Sequence, residues 1–93
     1  MTSMANFCVY FIQAGGLRGP IKIGVASNVN RRLVELQVAN YKELQILTTI
    51  PCQTMAGALS MEKYLHDMLS SKRIRGEWFK HNIKLNELRH IDR

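Results

Sequence analysis

Glu62 is the residue whose position first demands an explanation. Side chains follow one another by about 100° along a helix. On that spacing a helix over residues 55–71 puts Met55, Ala58, Leu59, Leu65 and Leu69 within roughly 60° of Glu62, with His66 among them. The carboxylate then lies in the middle of an apolar stripe. An acid buried without a partner costs on the order of several kcal/mol or neutralises itself. Three readings stay open: a core acid paired to Arg or Lys, an acid left in a groove by chance, or a functional carboxylate opening into a cleft. In a basic chain that approaches phosphates, a lone carboxylate is a natural ligand for Mg²⁺ or Mn²⁺. Mg²⁺ takes one or two protein oxygens and keeps several waters. His66 is a supporting group for this site or a packed histidine.

A second pattern surrounds Arg31 and Arg32. From about Asn28 the chain reads as helix, with Ser27 or Asn28 as its cap and Val29, Leu33 and Leu36 on one face. Arg32 lies roughly 60° from the centre of that face, and Arg31 nearly opposite. Arg32 can run its stem along the core and present its guanidinium at the rim. That planar fork matches two phosphate oxygens, and the helix start adds a positive dipole end. The alternative is a salt bridge from Arg32 to Glu35 or Glu62.

Tyr10 and Lys22 form the third pair. Tyr10 shares a strand face with Cys8 and Ile12, and Lys22 shares one with Gly24. If both face the same side of a hairpin, the Lys22 ammonium would stabilise a Tyr10 phenolate, whose ordinary pKa is about 10. Otherwise Tyr10 is a packing aromatic and Lys22 protects a strand edge.

The elements that hold these residues follow from composition and period. Residues 6–12, NFCVYFI, read as a strand covered on both faces. Residues 13–20, with three glycines and Pro20, form a loop. IKIGV, 21–25, is a second strand paired to the first. The helix with Arg32 follows, and ELQILTTI, 43–50, is a third strand that Pro51 ends. Thr54 caps the helix of Glu62. KRIRGEWFK is a basic turn around Gly76, and residues 83–91 fit a short last helix. The fold expected is α/β of the α+β kind: a three-stranded, mainly antiparallel sheet flanked by about three helices, in one domain over 1–93.

Charge narrows the partner. Thirteen Lys and Arg against seven Asp and Glu give a net +6, which favours a polyanion, nucleic acid before membrane. Lys72, Arg73 and Arg75 beside Trp78 are the candidate contact strip, with Arg31 as a further contact; such a run is also an ordinary solvated turn. Cys8 and Cys52 have no C-x-x-C spacing and read as free thiols of a reduced, cytoplasmic protein. MTSMANF has neither the basic region nor the apolar segment of a signal peptide. The cysteines and histidines form no zinc pattern, and the chain has no P-loop or dinucleotide fingerprint.

These residues occur in an order that resembles the GIY-YIG nuclease domain, most closely its short phage and prophage branch. Cys8-Val9-Tyr10 is similar to the first signature and Lys22-Ile23-Gly24 to the second. GVASNVNRRL resembles the segment that follows the second signature in the incision subunit of bacterial excision repair. The catalytic arginine there stands eight residues after the motif glycine, which here is Arg32. ALSMEKYLHDML resembles the metal-binding helix, with Glu62 at the acidic position. Glu62 to His66 and Glu77 to Phe79 are similar to E-x-x-L-H and EWF runs of the short branch. The resemblance covers about residues 7–80. Cys8 departs from the motif glycine and Lys22 from the second motif tyrosine.

The resemblance implies a metal-dependent endonuclease that hydrolyses DNA phosphodiesters, RNA remaining open. Tyr10 would be the general base, Lys22 would lower its pKa, Arg32 would clamp the phosphate and Glu62 would hold one Mg²⁺ or Mn²⁺. Gly24, the motif glycine, would be a supporting residue, as would His66. The setting implied is the cytoplasm of a bacterium or a phage-infected host, with a homodimer or partner protein supplying specificity and no membrane. The other classes are a GIY-YIG-like nucleic-acid-binding module without catalysis and a protein-interaction module.

Overall fold

The structure, a computed structural model, describes residues 6–83. The chain runs β1 (Phe7–Ala14), β2 (Ile21–Ala26), α1 (Val29–Val38), β3 (Leu44–Cys52), α2 (Met55–Met68), a 3₁₀ turn at Ser70–Lys72, β4 (Arg73–Arg75) and β5 (Trp78–Phe79). The strands form one antiparallel sheet in the order β3-β1-β2-β5-β4. The α+β reading holds. The sheet has five strands rather than three, because the expected basic turn is itself a short hairpin. Gly76 takes a left-handed φ of 55°, which only glycine adopts freely, and reverses the chain between β4 and β5.

Two boundaries also change. Pro51 does not end β3 but lies inside it, opposite Cys8. β3 is an edge strand, and an edge tolerates a residue without an N–H. The helix of Glu62 ends at Met68, and its expected last turn is 3₁₀. The helix expected over 83–91 lies outside the described residues apart from Ile83, which is buried.

Each face of the sheet has its own apolar layer. Val9, Phe11, Ile21, Ile23, Ile50 and Phe79 pack with Ala58 and Leu65 of α2. Tyr10, Ile12, Ala14, Ala26 and Leu44 pack with Val29, Leu33 and Leu36 of α1. Alternation along β1 produces this division. The Asn28 side chain accepts from Arg31 N–H and starts α1; the Thr54 hydroxyl accepts from Gly57 N–H and starts α2. Both are the expected caps.

The buried face of α2 is rotated from the expected one. Ala58 and Leu65 are fully buried, and Met61 and Leu69 pack against the same core. Met55 and Leu59 are about half exposed. Glu62 therefore sits at the margin of the buried stripe, not at its centre.

Candidate active site

The site is built where β5 stops. Within a strand, the N–H and C=O of one residue point to the same edge, and the direction repeats every second residue. Ile23 N–H donates to Glu77 O at 3.0 Å, so this edge of Ile23 faces the hairpin. β5 pairs with β2 only at Ile21 and Lys22 among the described residues. Beyond that point the β2 carbonyls need other partners. His66 Nε2 meets Ile23 O at 3.0 Å, and because a carbonyl only accepts, this nitrogen carries the proton. Arg32 Nη1 donates to Val25 O at 3.4 Å. His66 comes from the α2 face and Arg32 from the α1 face. The unpaired stretch of β2 is thus the seam at which the two faces meet.

Tyr10 is the buried member of the group. Only 1% of its surface is exposed, and its ring lies over Gly24, its partner across the hairpin. Arg32 Nη1 donates to the Tyr10 hydroxyl in a long contact of 3.5 Å, while Arg32 Nε pairs with Glu35 at 3.3 Å. Arg32 therefore does make the salt bridge to Glu35, but it also reaches the phenol. Its side chain keeps 40% of its surface in solvent. A cleft of about 220 Å³ opens beside it, lined by Ser27, Asn28, Arg31, Arg32 and Glu35 among others. Arg31 is mainly exposed and shares Glu35 at 3.5 Å.

Lys22 shares the Tyr10 face, as alternation requires. It stands opposite Ile12 on one side and Trp78 on the other, and directly opposed residues share a face. Its ammonium, however, is held by Glu77 at 3.1 Å and lies 5.4 Å from the centre of the Trp78 ring. The expected lowering of the Tyr10 pKa by Lys22 is thereby corrected. Arg32 is the cation at the hydroxyl, and burial outweighs it. Burial pushes the phenol above its ordinary value, the Arg32 hydrogen bond pulls it down, and the charges of Glu77 and Glu62 push it up again. The same hydrogen bond to Tyr10 is the main reason that the Arg32 guanidinium is held still more firmly protonated.

Glu62 is half-buried, and its pKa is also raised. Burial is the first cause and the nearby Glu77 carboxylate the second, with His66 and Lys22 acting in the opposite sense. The two carboxylates thus crowd each other at one end of the seam. His66 stacks edge-on against Phe79 at 5.0 Å between ring centres, which fixes the imidazole from the apolar side. Sequence reasoning did not single out Glu77 as a site residue. Its signal was the EWF run, but a glutamate next to a turn glycine reads as solvated until β5 is seen to pair with β2.

The basic strip is divided by the hairpin. A register shift sets Arg75 opposite Trp78 and Arg73 opposite Phe79. Arg73 lies 5.6 Å over the Phe79 ring, whereas Trp78 packs with the Tyr10 layer. Lys72 precedes both in the 3₁₀ turn. The expected strip is therefore not one surface: Trp78 adjoins Lys22, Arg75 stands beyond Trp78 on the same face, and Arg73 is turned toward the α2 layer.

The chain matches the T5orf172 domain over residues 7–92. It belongs to the T5orf172 domain family. This family is a phage-associated one within a nuclease clade. Comparison with curated proteins and with solved structures finds no match. The matched span of this T5orf172 domain includes every residue of the seam, from Tyr10 to Glu77.

As a metal site, the T5orf172 domain offers few ligands. Among the described residues no group of three or more His, Cys, Asp and Glu is placed to hold a metal ion. Glu62, crowded by Glu77, fits a hydrated Mg²⁺ instead, since that ion needs only one or two carboxylates and relieves repulsion between them. No helix among the described residues is long and apolar enough to cross a membrane.

Proposed function

We propose that the chain is a GIY-YIG-type endonuclease that hydrolyses phosphodiester bonds in DNA. The observation that carries this reading is the contact of Arg32 with the Tyr10 hydroxyl at a half-open rim, with Glu62 close enough to act on the same phenol. A base and a cation are then in contact and the charge of a carboxylate reaches them, the three kinds of group that phosphodiester hydrolysis uses.

In this mechanism Tyr10 takes the proton from the attacking water. Arg32 turns its remaining donors to the phosphate oxygens and stabilises the charge that grows on them. Its bonds to Tyr10 and Val25 O are long, so donors can be exchanged at little cost. His66 and Gly24 act on position: His66 holds the β2 backbone and Gly24 leaves room for the Tyr10 ring. Glu62 would hold a Mg²⁺ or Mn²⁺ ion. A divalent ion there supplies Lewis-acid stabilisation of the leaving oxygen.

The test is nicking of supercoiled plasmid by wild type, Arg32→Ala and Glu62→Ala, each with Mg²⁺, Mn²⁺ or chelator. Metal-dependent nicking that disappears in both variants is expected. Metal-dependent nicking that survives Glu62→Ala would remove Glu62 from the metal site.

One observation favours a second reading, a nucleic-acid-binding module without catalysis. Burial and two carboxylates hold Tyr10 protonated, which makes it a weak base near neutral pH. Such a module would bind plasmid equally well in chelator and nick in none of these conditions. With about four phosphate contacts its log–log salt slope would be near −3.6.

A further inference from the structure

Glu77 is held more firmly than a turn residue needs to be. Its backbone carbonyl accepts from Ile23 N–H at 3.0 Å, and its carboxylate pairs with Lys22 at 3.1 Å. Two successive residues of β2 are thus gripped by one residue of the hairpin. Lys22 is held from two directions, by the Glu77 carboxylate and by the Trp78 ring 5.4 Å away. A lysine has a flexible four-carbon stem and gives up much rotamer freedom when fixed. Free, it would sample most of the surface around it. Here its ammonium is kept to the Tyr10 side of the sheet, and 18% of its side chain remains open to solvent. Arg32 flanks Tyr10 from α1, and Lys22 stands two residues before Gly24 on β2.

We propose that Glu77 is a positioning residue that holds Lys22 over Trp78 as a second phosphate-contacting cation on the Tyr10 face. This rests on the nuclease reading for its use, but not for its geometry. Glu77 touches neither substrate nor the reacting atoms; it acts through Lys22. Its loss therefore changes turnover rather than affinity. Removing an acid from a phosphate-binding face leaves general attraction to DNA intact.

The experiment compares wild type, Glu77→Gln, Glu77→Asp, Lys22→Met and the Glu77→Gln/Lys22→Met double variant. Trp78 is the sole tryptophan, so its fluorescence reports the ammonium beside it whether or not the protein cuts DNA. Plasmid nicking with Mg²⁺ gives kcat and KM, and the melting temperature of each variant is taken alongside. Glu77→Gln and Lys22→Met are each expected to alter Trp78 emission and lower kcat about tenfold, with KM not raised in Glu77→Gln and raised a few-fold in Lys22→Met. The double variant should fall well short of the product of the two single losses, because Glu77 acts mainly through Lys22, its charge also reaching Tyr10 and Glu62. Glu77→Asp, which keeps the charge, should recover part of both signals. Unchanged Trp78 emission in Glu77→Gln, or losses that multiply in the double variant, would overturn the proposal. A wild type that binds plasmid without nicking it would end the nuclease reading alone. The salt slope of binding then decides: a slope reduced in size by about 0.9 in Lys22→Met retains the phosphate contact, and an unchanged slope overturns it.

Discussion

The Tyr10 hydroxyl fills the space that a side chain on residue 24 would need. A β-carbon built on Gly24 would overlap that hydroxyl and lie 2.6 Å from Tyr10 Cζ. Gly24 is not among the glycines with positive φ, so room, not backbone freedom, dictates the residue. Gly24→Ala should push the ring out of its seat at a cost of about 1–3 kcal/mol. That is a fall in Tm of roughly 5–20 °C for a domain of this size, with nicking reduced to background. Wild-type melting and nicking in Gly24→Ala would show that the ring has another place to go.

The adjacent arginines should separate cleanly. Arg32→Ala is expected to lower kcat by about 10²–10³, the effect of removing one donor aimed at developing charge. Arg31→Ala should stay within a few-fold in rate and reduce the size of the salt slope of DNA binding by about 0.9. Nicking time courses and binding titrations across a salt series distinguish the two. Equal losses of kcat would place both guanidiniums at the phosphate.

Glu62 sets function against stability. Its folded pKa is raised, first by burial and then by Glu77. A raised carboxyl contributes its stability below the ordinary carboxylate range and loses it as pH rises through the raised value. At pH 7 the ionised Glu62 is therefore unfavourable to the fold. Glu62→Gln should raise Tm at pH 7 by on the order of 2–4 °C, within the usual range for partly exposed positions. The gain should shrink as pH falls below the carboxylate range, while metal-stimulated nicking is lost at every pH. Thermal melts of both proteins across pH measure this; a lower Tm for Glu62→Gln at pH 7 would contradict it.

Tyr10 should give the nicking rate an alkaline slope. A phenol held above its ordinary pKa by burial has little phenolate at neutral pH. If phenolate is the base, kcat should climb about tenfold per pH unit from pH 7 to 9, with no plateau in that range. Tyr10→Phe should abolish the climb. The stability sign runs the other way from activity. The Tyr10 contribution is intact below the ordinary tyrosine pKa and is lost as pH rises through the raised value, so Tm should begin to fall on the alkaline side of the ordinary tyrosine range, and less so in Tyr10→Phe.

Much of this was legible in the residues, and the parts that were not have physical reasons. β1, β2 and α1 announced themselves through long apolar periods and a capping Asn28. Alternation grouped Tyr10 with Ile12 and Lys22 with Gly24, but that the two pairs share a face waited on the register of the hairpin. β4 and β5, at three and two residues, are too short for any period to show; they exist because β2 offers them an edge. Glu77 stayed hidden with them. Glu62 was placed slightly too deep because Met55 and Leu59 are apolar yet lie outside the core. The partner of Lys22 could not be read from spacing, since it is supplied by a residue far along the chain.

The early end of β5 has a consequence for how the protein behaves in company. Bare carbonyls along a strand are an invitation to other chains, and proteins that leave them open tend to stick to copies of themselves. Here the guards of that edge are His66 and Arg32, the same side chains that serve the site. Replacing either side chain, as a test of the nuclease reading would, also unguards the strand. Solubility and chemistry are thus tied to one pair of residues, and a lineage that discards the chemistry would still be under pressure to keep them.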